Sequence, residues 1–276
     1  MNGTDWGALA ANLAVTAATA GAVLLATFAV AVRRGLHRIV DIAWGIAFGA
    51  VAAVTWVLSA GHGDDVRRLI VAAATVLWGL RLSAHIARRS RGHGEDPRYT
   101  ALLDKAPGNR TRYALRTVYL GQAALVWAIS LPVQAASYSS RPPGPLAFLG
   151  MAVWALGLAF EAVGDHQLAH FKEDPAHRGR IMDRGLWSWT RHPNYFGDSL
   201  VWWGLYLLAC TGWQPALAVL VSPVLMTLLL TVGSGKRLLE KHMADRPGYA
   251  EYAARTSGFL PLPPKRADRV TPRNPR

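Results

Sequence analysis

The sequence predicts an all-α integral membrane protein: a bundle of seven transmembrane helices with the N-terminus outside and the C-terminus in the cytosol. Of its 276 residues, 51% are hydrophobic and only 17% are charged, and the apolar residues are gathered into long blocks. Several blocks approach the roughly 20 residues that a helix needs to cross about 30 Å of hydrocarbon. Lys and Arg are concentrated in every second loop. Block length therefore predicts the class, and loop charge predicts the orientation.

Seven blocks are predicted to span the membrane, and each must be helical because lipid offers no partner for backbone N–H and C=O groups. They are Gly7 to Val32, Ile39 to Ala60, Val66 to Ile86, Thr117 to Gln134, Pro145 to Val163, Tyr195 to Gly212 and Pro215 to Val232. The first block follows Asp5 and not a basic stretch, so we expect it to be retained and not cleaved as a signal peptide. The third is weak, and its flanking Arg67, Arg68 and Arg81 are expected to snorkel.

Positive charge alternates between the loops that connect these spans. The basic segments are Arg33 to Arg38, Arg81 to Arg116 with nine Lys or Arg, Gly164 to Arg191 with five, and the segment from Lys236 onward with ten. The intervening loops carry no excess of positive charge. A missed or invented span would break this alternation, so the basic loops are assigned to the cytosol.

Composition also narrows the domain organisation and the partners. We predict one transmembrane domain over residues 1–264 and a basic, disordered tail over residues 265–276. The net charge is +13, and the Lys and Arg residues lie beside the apolar blocks. The sequence contains no recognised nucleic-acid-binding motif, so the bilayer is the expected partner. Cys210 is the single cysteine, which excludes an internal disulfide. The spacing of the histidines between His166 and His192 is unspecific, and no metal site is expected.

Polar residues cluster in three segments that the topology places on the cytosolic side: Arg88 to Tyr99, Glu161 to Asp198, and Gly235 to Tyr252. A site built jointly from them would open to the cytosol, where NADPH and S-adenosylmethionine are found. No GxGxxG motif is present, so a dinucleotide would not be held by a Rossmann fold.

The segment RHPNYFGD is the densest of these. Pro193 suits the first turn of a helix, which would bring Asn194, Tyr195 and Asp198 to one face. Arg191 stands just before that helix, where a guanidinium beside exposed N–H groups suits a phosphate or carboxylate. The alternative is an ordinary helix start at the interface, with Arg191 snorkelling.

Four further polar residues each allow a functional and a structural interpretation. Glu161 and Asp165 are four residues apart on one helix face and would accept hydrogen bonds from a ribose or an amide, or pair with nearby Arg. Glu240 would serve a ligand or form an ion pair with Lys236. Tyr252 would contact a cofactor or anchor the chain at the interface.

Asp41 and Tyr119 are candidates in the earlier spans. Asp41 lies near the cytosolic end of the second span, where it would be a catalytic group or a shallow, solvated carboxylate. Tyr119 would offer a hydroxyl from the fourth span.

Taken together, these motifs resemble the bacterial branch of the steroid 5-alpha-reductase C-terminal domain family. The resemblance runs from IVDIAWG at Ile39 through LWGLRLSAHIARRSRGHGEDPRY and GLWSWTRHPNYFGDSLVWWG to SGKRLLEKH and YAEYAARTSGFLPLPP. It implies a seven-helix enzyme of the bacterial plasma membrane that uses NADPH to reduce an enone carbon–carbon double bond in an apolar lipid. The cofactor contacts that it implies are Asp165, Asn194 and Asp198, with Glu161, Arg191, Tyr195, Glu240 and Tyr252 as further candidates.

This sequence departs from the family at the substrate. Steroid reductases hold the substrate ketone with a Glu and a Tyr on early helices, but the region matching that Tyr reads RLSAHIARR. Asp41 in place of the Glu and Tyr119 as the hydroxyl are the predicted catalytic pair. The resemblance does not specify a steroid as substrate.

Two other functions fit the sequence. The pattern RHPNYFG with a later YxxY is also similar to isoprenylcysteine carboxyl methyltransferases, which bind S-adenosylmethionine and usually show two adjacent Glu where this chain has Leu239 and Glu240. The third function is that of a non-catalytic lipid-binding protein.

Overall fold

The protein is all-helical in the computed structural model, which describes residues 5–233 and 235–265. Its α-helices in these ranges are α1 (Trp6–Arg34), α2 (Ile39–Leu58), α3 (Asp65–Ser90), α4 (Pro97–Leu103), α5 (Arg110–Ala114), α6 (Gly121–Ile129), α7 (Leu131–Ser137), α8 (Pro145–Glu173), α9 (Leu186–Trp189), α10 (Pro193–Ala209), α11 (Trp213–Val219), α12 (Val221–Thr231), α13 (Lys236–Met243) and α14 (Tyr249–Arg255). A π-helical turn, Leu115–Leu120, joins α5 to α6. No strand occurs within the described ranges, and the predicted tail lies, except for Lys265, outside them.

Six helical runs are long and apolar enough to cross a membrane, as judged by length and composition over the described residues. They are Trp6–Arg34, Ile39–Leu58, Asp65–Ser90, Arg110–Ser137, Pro145–Glu173 and Trp213–Met243. Together they confirm the predicted all-α membrane class. The remaining predicted span corresponds to α10, which has 17 residues and a length of about 26 Å. The count of seven and the orientation of the termini therefore stay predictions.

Helix ends in the described chain follow local sequence signals. Asp5 accepts a hydrogen bond from the Ala8 N–H at the start of α1, and Asp64 accepts one from the Arg67 N–H at the start of α3. Gly35 ends α1 in the left-handed conformation, with φ of 65°. These caps satisfy backbone groups that have no partner inside the helix.

The contacts divide the chain into two compact units. Unit 1 comprises Met1–Met151 and Leu205–Pro223, and unit 2 comprises Ala152–Gly204 and Val224–Arg276. The expected single transmembrane domain stays a prediction, and each unit is described by itself below.

Unit 1 is built around a close approach of α2 and α3. A Cβ atom added at Gly45 would lie 2.1 Å from the carbonyl oxygen of Gly79, so only glycine permits this separation of the two backbones. The Ser83 hydroxyl then donates to the carbonyl of Ile42 across the same contact, at 2.7 Å. Small residues commonly mediate such contacts between membrane helices, where van der Waals packing replaces the hydrophobic driving force.

The arginines at the start of α3 are buried and do not snorkel. Arg67 and Arg68 are only 4% and 5% exposed. The Arg67 guanidinium donates to the carbonyls of Arg141, Leu208 and Pro142, and that of Arg68 donates to Ser59 Oγ and the Trp56 carbonyl. The prediction of snorkelling was wrong here because each guanidinium finds carbonyl acceptors within unit 1 and does not need to reach the solvent.

Candidate functional site

Unit 2 positions its polar residues through a close crossing of α8 and α10. A Cβ atom at Gly157 would lie 2.6 Å from the carbonyl oxygen of Gly197, and one at Gly197 would lie 2.6 Å from the Glu161 nitrogen. One to two turns farther along α8, a Cβ atom at Gly164 would lie 3.1 Å from the Pro193 ring. Because these backbones touch, the side chains next to the glycines are forced into proximity.

The crossing brings together the residues predicted from RHPNYFGD and from the end of the fifth span. Asn194 Nδ2 donates to Asp165 Oδ1 at 3.2 Å, and the Tyr195 N–H donates to Asn194 Oδ1 at 3.0 Å. Glu161 and Asp165 are 2% and 6% exposed, and one carboxylate oxygen of Asp198 is buried. The predicted helix start at Pro193 is confirmed. The predicted residues of α8 and α10 thus form one polar cluster, in which Glu161 and Asp165 are buried and Asn194, Tyr195 and Asp198 are half-buried.

Arg191 ties the C-terminal segment to the start of α10. Its Nε donates to Glu240 Oε1 at 2.8 Å, and its guanidinium also donates to the carbonyls of Ala253 and Thr256 at 2.9 and 2.8 Å. Several N–H groups of this guanidinium, which was predicted to bind an anion, therefore already donate to acceptors within the protein. Glu240, in turn, bonds to Arg191 instead of forming the predicted helical pair with Lys236.

His192 is held neutral between Glu240 and Tyr195. Its side chain is 3% exposed, and its Nε2 lies 3.1 Å from Glu240 Oε1. Its ring stacks on that of Tyr195, with 5.2 Å between the centroids. Burial lowers the pKa of His192 to about 4, although the Glu240 carboxylate acts in the opposite direction. Since a carboxylate can only accept, Nε2 carries the proton, and Nδ1 is a buried acceptor without a hydrogen bond.

Tyr252 closes the same region from α14. Its hydroxyl donates to the carbonyl of Trp187 at 2.6 Å, and burial raises its pKa. Arg191 N–H donates to the Ser257 carbonyl at 2.9 Å, and Leu262 N–H donates to the Trp189 carbonyl at 3.0 Å. Backbone pairing thus fixes the C-terminal segment along residues 189–191.

A cavity of about 370 Å³ opens beside this framework within unit 2. Its wall is basic, with Lys172, Arg178, Arg180, Arg191 and Arg246. The rest of the lining consists of apolar, aromatic and histidine side chains with one glycine, namely Leu168, Phe171, His177, Gly179, Ile181, Met182, Trp187, His192, Leu239, Met243, Tyr249 and Tyr252. None of these described lining residues is acidic.

The cavity and the polar cluster are distinct parts of unit 2. Arg191 and Tyr252, among the predicted residues, line the cavity, whereas Glu161, Asp165, Asn194, Tyr195, Asp198 and Glu240 do not. Sequence reasoning did not single out Arg178, Arg180 and Arg246, which the structure places in the cavity wall. Their positive charge was visible in the basic loops, but it was used only to assign the topology.

Unit 1 carries the two predicted catalytic residues in a separate cluster. Asp41 accepts hydrogen bonds from the Tyr99 hydroxyl and, at 2.8 Å, from the Arg98 guanidinium. Tyr119 lies in the π-helical turn, and its hydroxyl is 3.0 Å from His37 Nδ1. The partners of Asp41 are therefore Tyr99 and Arg98, both from the polar segment Arg88 to Tyr99, and neither was predicted as a catalytic residue.

Tyr99 has the properties of a protonated donor. It is 8% exposed, and burial, together with the nearby Asp41 carboxylate, raises its pKa. Its hydroxyl therefore keeps its proton at neutral pH. Arg98 offsets the negative charge of Asp41 from the other carboxylate oxygen.

The six apolar helical runs and the all-helical fold define an integral membrane protein. The chain belongs to the family described as protein of unknown function (DUF1295), whose model matches residues 27–256. No curated protein and no solved structure matches the chain.

Proposed function

We propose that the protein is a membrane reductase that uses NADPH to reduce the carbon–carbon double bond of an enone in an apolar lipid. The observation that carries the proposal is the basic cavity of unit 2, lined by five cationic side chains and several aromatic rings. Guanidinium groups bind phosphate through charge-assisted hydrogen bonds, and aromatic faces suit an adenine ring. Its volume lies at the lower end of the range for small-molecule sites, about 300 to 1,000 Å³, and suits the phosphorylated adenosine end of NADPH.

The same cavity argues against S-adenosylmethionine. That molecule carries a sulfonium, an ammonium and one carboxylate, so its net charge is positive. A wall with five cations and no acidic side chain among its described residues would repel the first two groups and attract only the third. Glu240, the carboxylate nearest in sequence to the methyltransferase pattern, is bonded to Arg191 and lies close to His192. The Glu240 carboxylate, which would have to balance the positive sulfonium, therefore already forms an ion pair with Arg191.

The reaction requires a hydride and a proton. Bound NADPH would supply the hydride to the β-carbon of the enone. A hydrogen-bond donor must stabilise the enolate oxygen that develops, and the α-carbon must then take up one proton. In the overall balance, the enone, NADPH and one proton give the saturated ketone and NADP⁺.

The proposal is tested by nucleotide binding to purified protein in detergent. Arg180→Gln removes one cation from the cavity wall, and Arg184→Gln removes an exposed cation of the same loop that does not line it. Loss of a charge-assisted hydrogen bond should weaken NADPH binding by about 10-fold to 100-fold in Arg180→Gln. Binding by Arg184→Gln should match the wild type.

Turnover tests the reaction separately from cofactor binding. With an apolar enone as substrate, the wild type should oxidise NADPH, and Arg180→Gln should do so with a higher KM for NADPH. Saturable binding of S-adenosylmethionine without binding of NADPH would overturn the proposal in favour of a methyltransferase. Binding of neither would leave the lipid-binding function.

A further inference from the structure

A second concave surface lies in unit 1, between α1 and α2. It is an open groove of about 460 Å³. From α1 it is lined by Ala26, Val30 and Arg34 on one helix face, and from α2 by Ala43 and Ile46. The alanines leave space that larger side chains at these positions would fill.

The groove is apolar along its length. Val30 and Ile46 are 41% and 47% exposed, so carbon surface remains uncovered by the protein itself. The Thr27 hydroxyl in the groove wall donates its hydrogen bond to the carbonyl of Val23 at 2.8 Å. It is therefore not a free donor that would require a polar ligand. In a membrane, a groove of this chemistry accommodates a hydrocarbon chain.

One end of the groove is cationic. Arg34 lies in the last turn of α1, which Gly35 closes by donating its N–H to the carbonyl of Ala31. The guanidinium of Arg34 makes no hydrogen bond or ion pair with any residue in the described part of the chain. Arg33 lies beside it in the same helical turn, and Arg38 lies just before α2. A positive group at the end of an apolar groove complements a lipid with a negative headgroup.

We propose that this groove binds an anionic phospholipid, with one acyl chain along Ala26 and Ala43 and the headgroup phosphate on Arg34. The site is independent of the proposed reductase reaction, because none of its lining residues belongs to the unit 2 cavity. The bound lipid would be a structural ligand and not a substrate of the reaction.

The test is native mass spectrometry of purified protein titrated with phosphatidylglycerol or with phosphatidylcholine of the same acyl chains. The wild type should retain phosphatidylglycerol about fivefold more tightly than phosphatidylcholine, as expected for one basic side chain at the headgroup. Arg34→Gln should lose this preference. Arg33→Gln, its matched control outside the groove, should keep it.

The acyl chain is tested separately. Ala26→Trp fills the groove and should lower retention of both lipids, whereas Ala29→Trp, on the same helix but outside the groove, should not. Ala26→Leu repeats the test with a smaller change in case Trp disturbs packing. Equal losses in Arg33→Gln and Arg34→Gln, or equal effects at positions 26 and 29, would overturn the site in favour of non-specific attraction to the membrane surface.

Discussion

At the scale of single residues, the Glu240 carboxylate balances one of the five positive charges on the wall of the unit 2 cavity. It accepts the Nε hydrogen of Arg191 and lies within hydrogen-bonding distance of the neutral ring of His192. Arg191 carries a positive charge that is locally balanced, whereas no carboxylate pairs with Arg178, Arg180 or Arg246 within the described chain. The proposed phosphate would therefore meet the unbalanced charges of Arg178 and Arg180 after α8 and of Arg246 after α13.

His192 leads to a prediction about stability and pH. Its pKa is about 4 in the folded protein and about 6.5 in an unfolded chain. Between these values His192 is protonated in the unfolded chain but neutral in the folded protein. The free energy of unfolding therefore decreases as the pH falls from 6.5 towards 4. The loss at pH 4 is at most about 3 kcal/mol. The unfolding midpoint in detergent, measured between pH 7 and pH 4, should fall accordingly.

The control for this prediction is a second histidine of unit 2. His192→Gln should flatten the pH dependence of the midpoint, because the titrating group is gone. His166→Gln replaces an exposed ring and should leave the dependence as in the wild type. An unchanged slope in His192→Gln would show that another group titrates.

At the scale of elements, the crossing of α8 and α10 positions the polar cluster. The carbonyl of Gly197 occupies the space that a side chain at position 157 would need. The contact is backbone against backbone, which cannot give way as a flexible side chain can. Asp165 and Asn194 reach hydrogen-bonding distance beside this contact.

Gly157→Ala should therefore destabilise the protein. Its Cβ atom would meet Gly197 O at 2.6 Å and Val201 N at 2.7 Å, and overpacking of this kind costs about 1 to 3 kcal/mol. Thermal unfolding in detergent measures the change. The comparison is Gly49→Ala in α2, where no atom lies within 4 Å of the added carbon, and where alanine should be neutral or stabilising. Equal unfolding temperatures would mean that the two helices separate at little cost.

At the scale of the whole molecule, the loop charges and the helix lengths contribute different information. Six runs satisfy the length and hydropathy of a membrane span, while the alternation of basic loops requires an odd number of crossings if the termini lie on opposite sides. Whether the protein has six or seven spans depends on whether the short helix α10 crosses the membrane. Near its start, Asn194, Tyr195 and Asp198 belong to the polar cluster, which shortens its apolar stretch.

Reporter fusions test the orientation directly. A reporter after Pro264 should be cytosolic, and one inserted near His62 should be external, because the basic loops are retained on the cytosolic side. Each fusion is measured with one reporter active in the cytosol and one active outside. Finding both positions on the same side would contradict the seven-span arrangement.

Several local features could be predicted from the sequence because they depend on neighbouring residues. The start of α10 at Pro193 follows from the restricted φ of proline, and the six spanning runs follow from hydropathy summed over about 20 residues. The π-helical turn at Leu115–Leu120 left no comparable signal. It shifts the helical phase at Tyr119, whose hydroxyl contacts His37.

The contacts that define the candidate sites were less predictable, because they join residues that are far apart in the chain. Tyr99 is 58 residues from Asp41, and Arg191 is 49 residues from Glu240. Spacing along a helix suggested Lys236 as the partner of Glu240, because it considers only residues within a turn or so of each other. In the structure, donors and acceptors are instead paired by how the helices pack.

The sequence by itself determined that this is an all-α membrane protein with basic and non-basic loops in alternation. Both properties are sums over local composition, so they do not depend on how the helices are arranged. Only the tertiary structure decided which charges are buried, as for Arg67 and Arg68, and which ones gather around a cavity, as for Arg178, Arg180 and Arg246. Burial and cavity formation arise when separate helices pack, and no single segment contains that information.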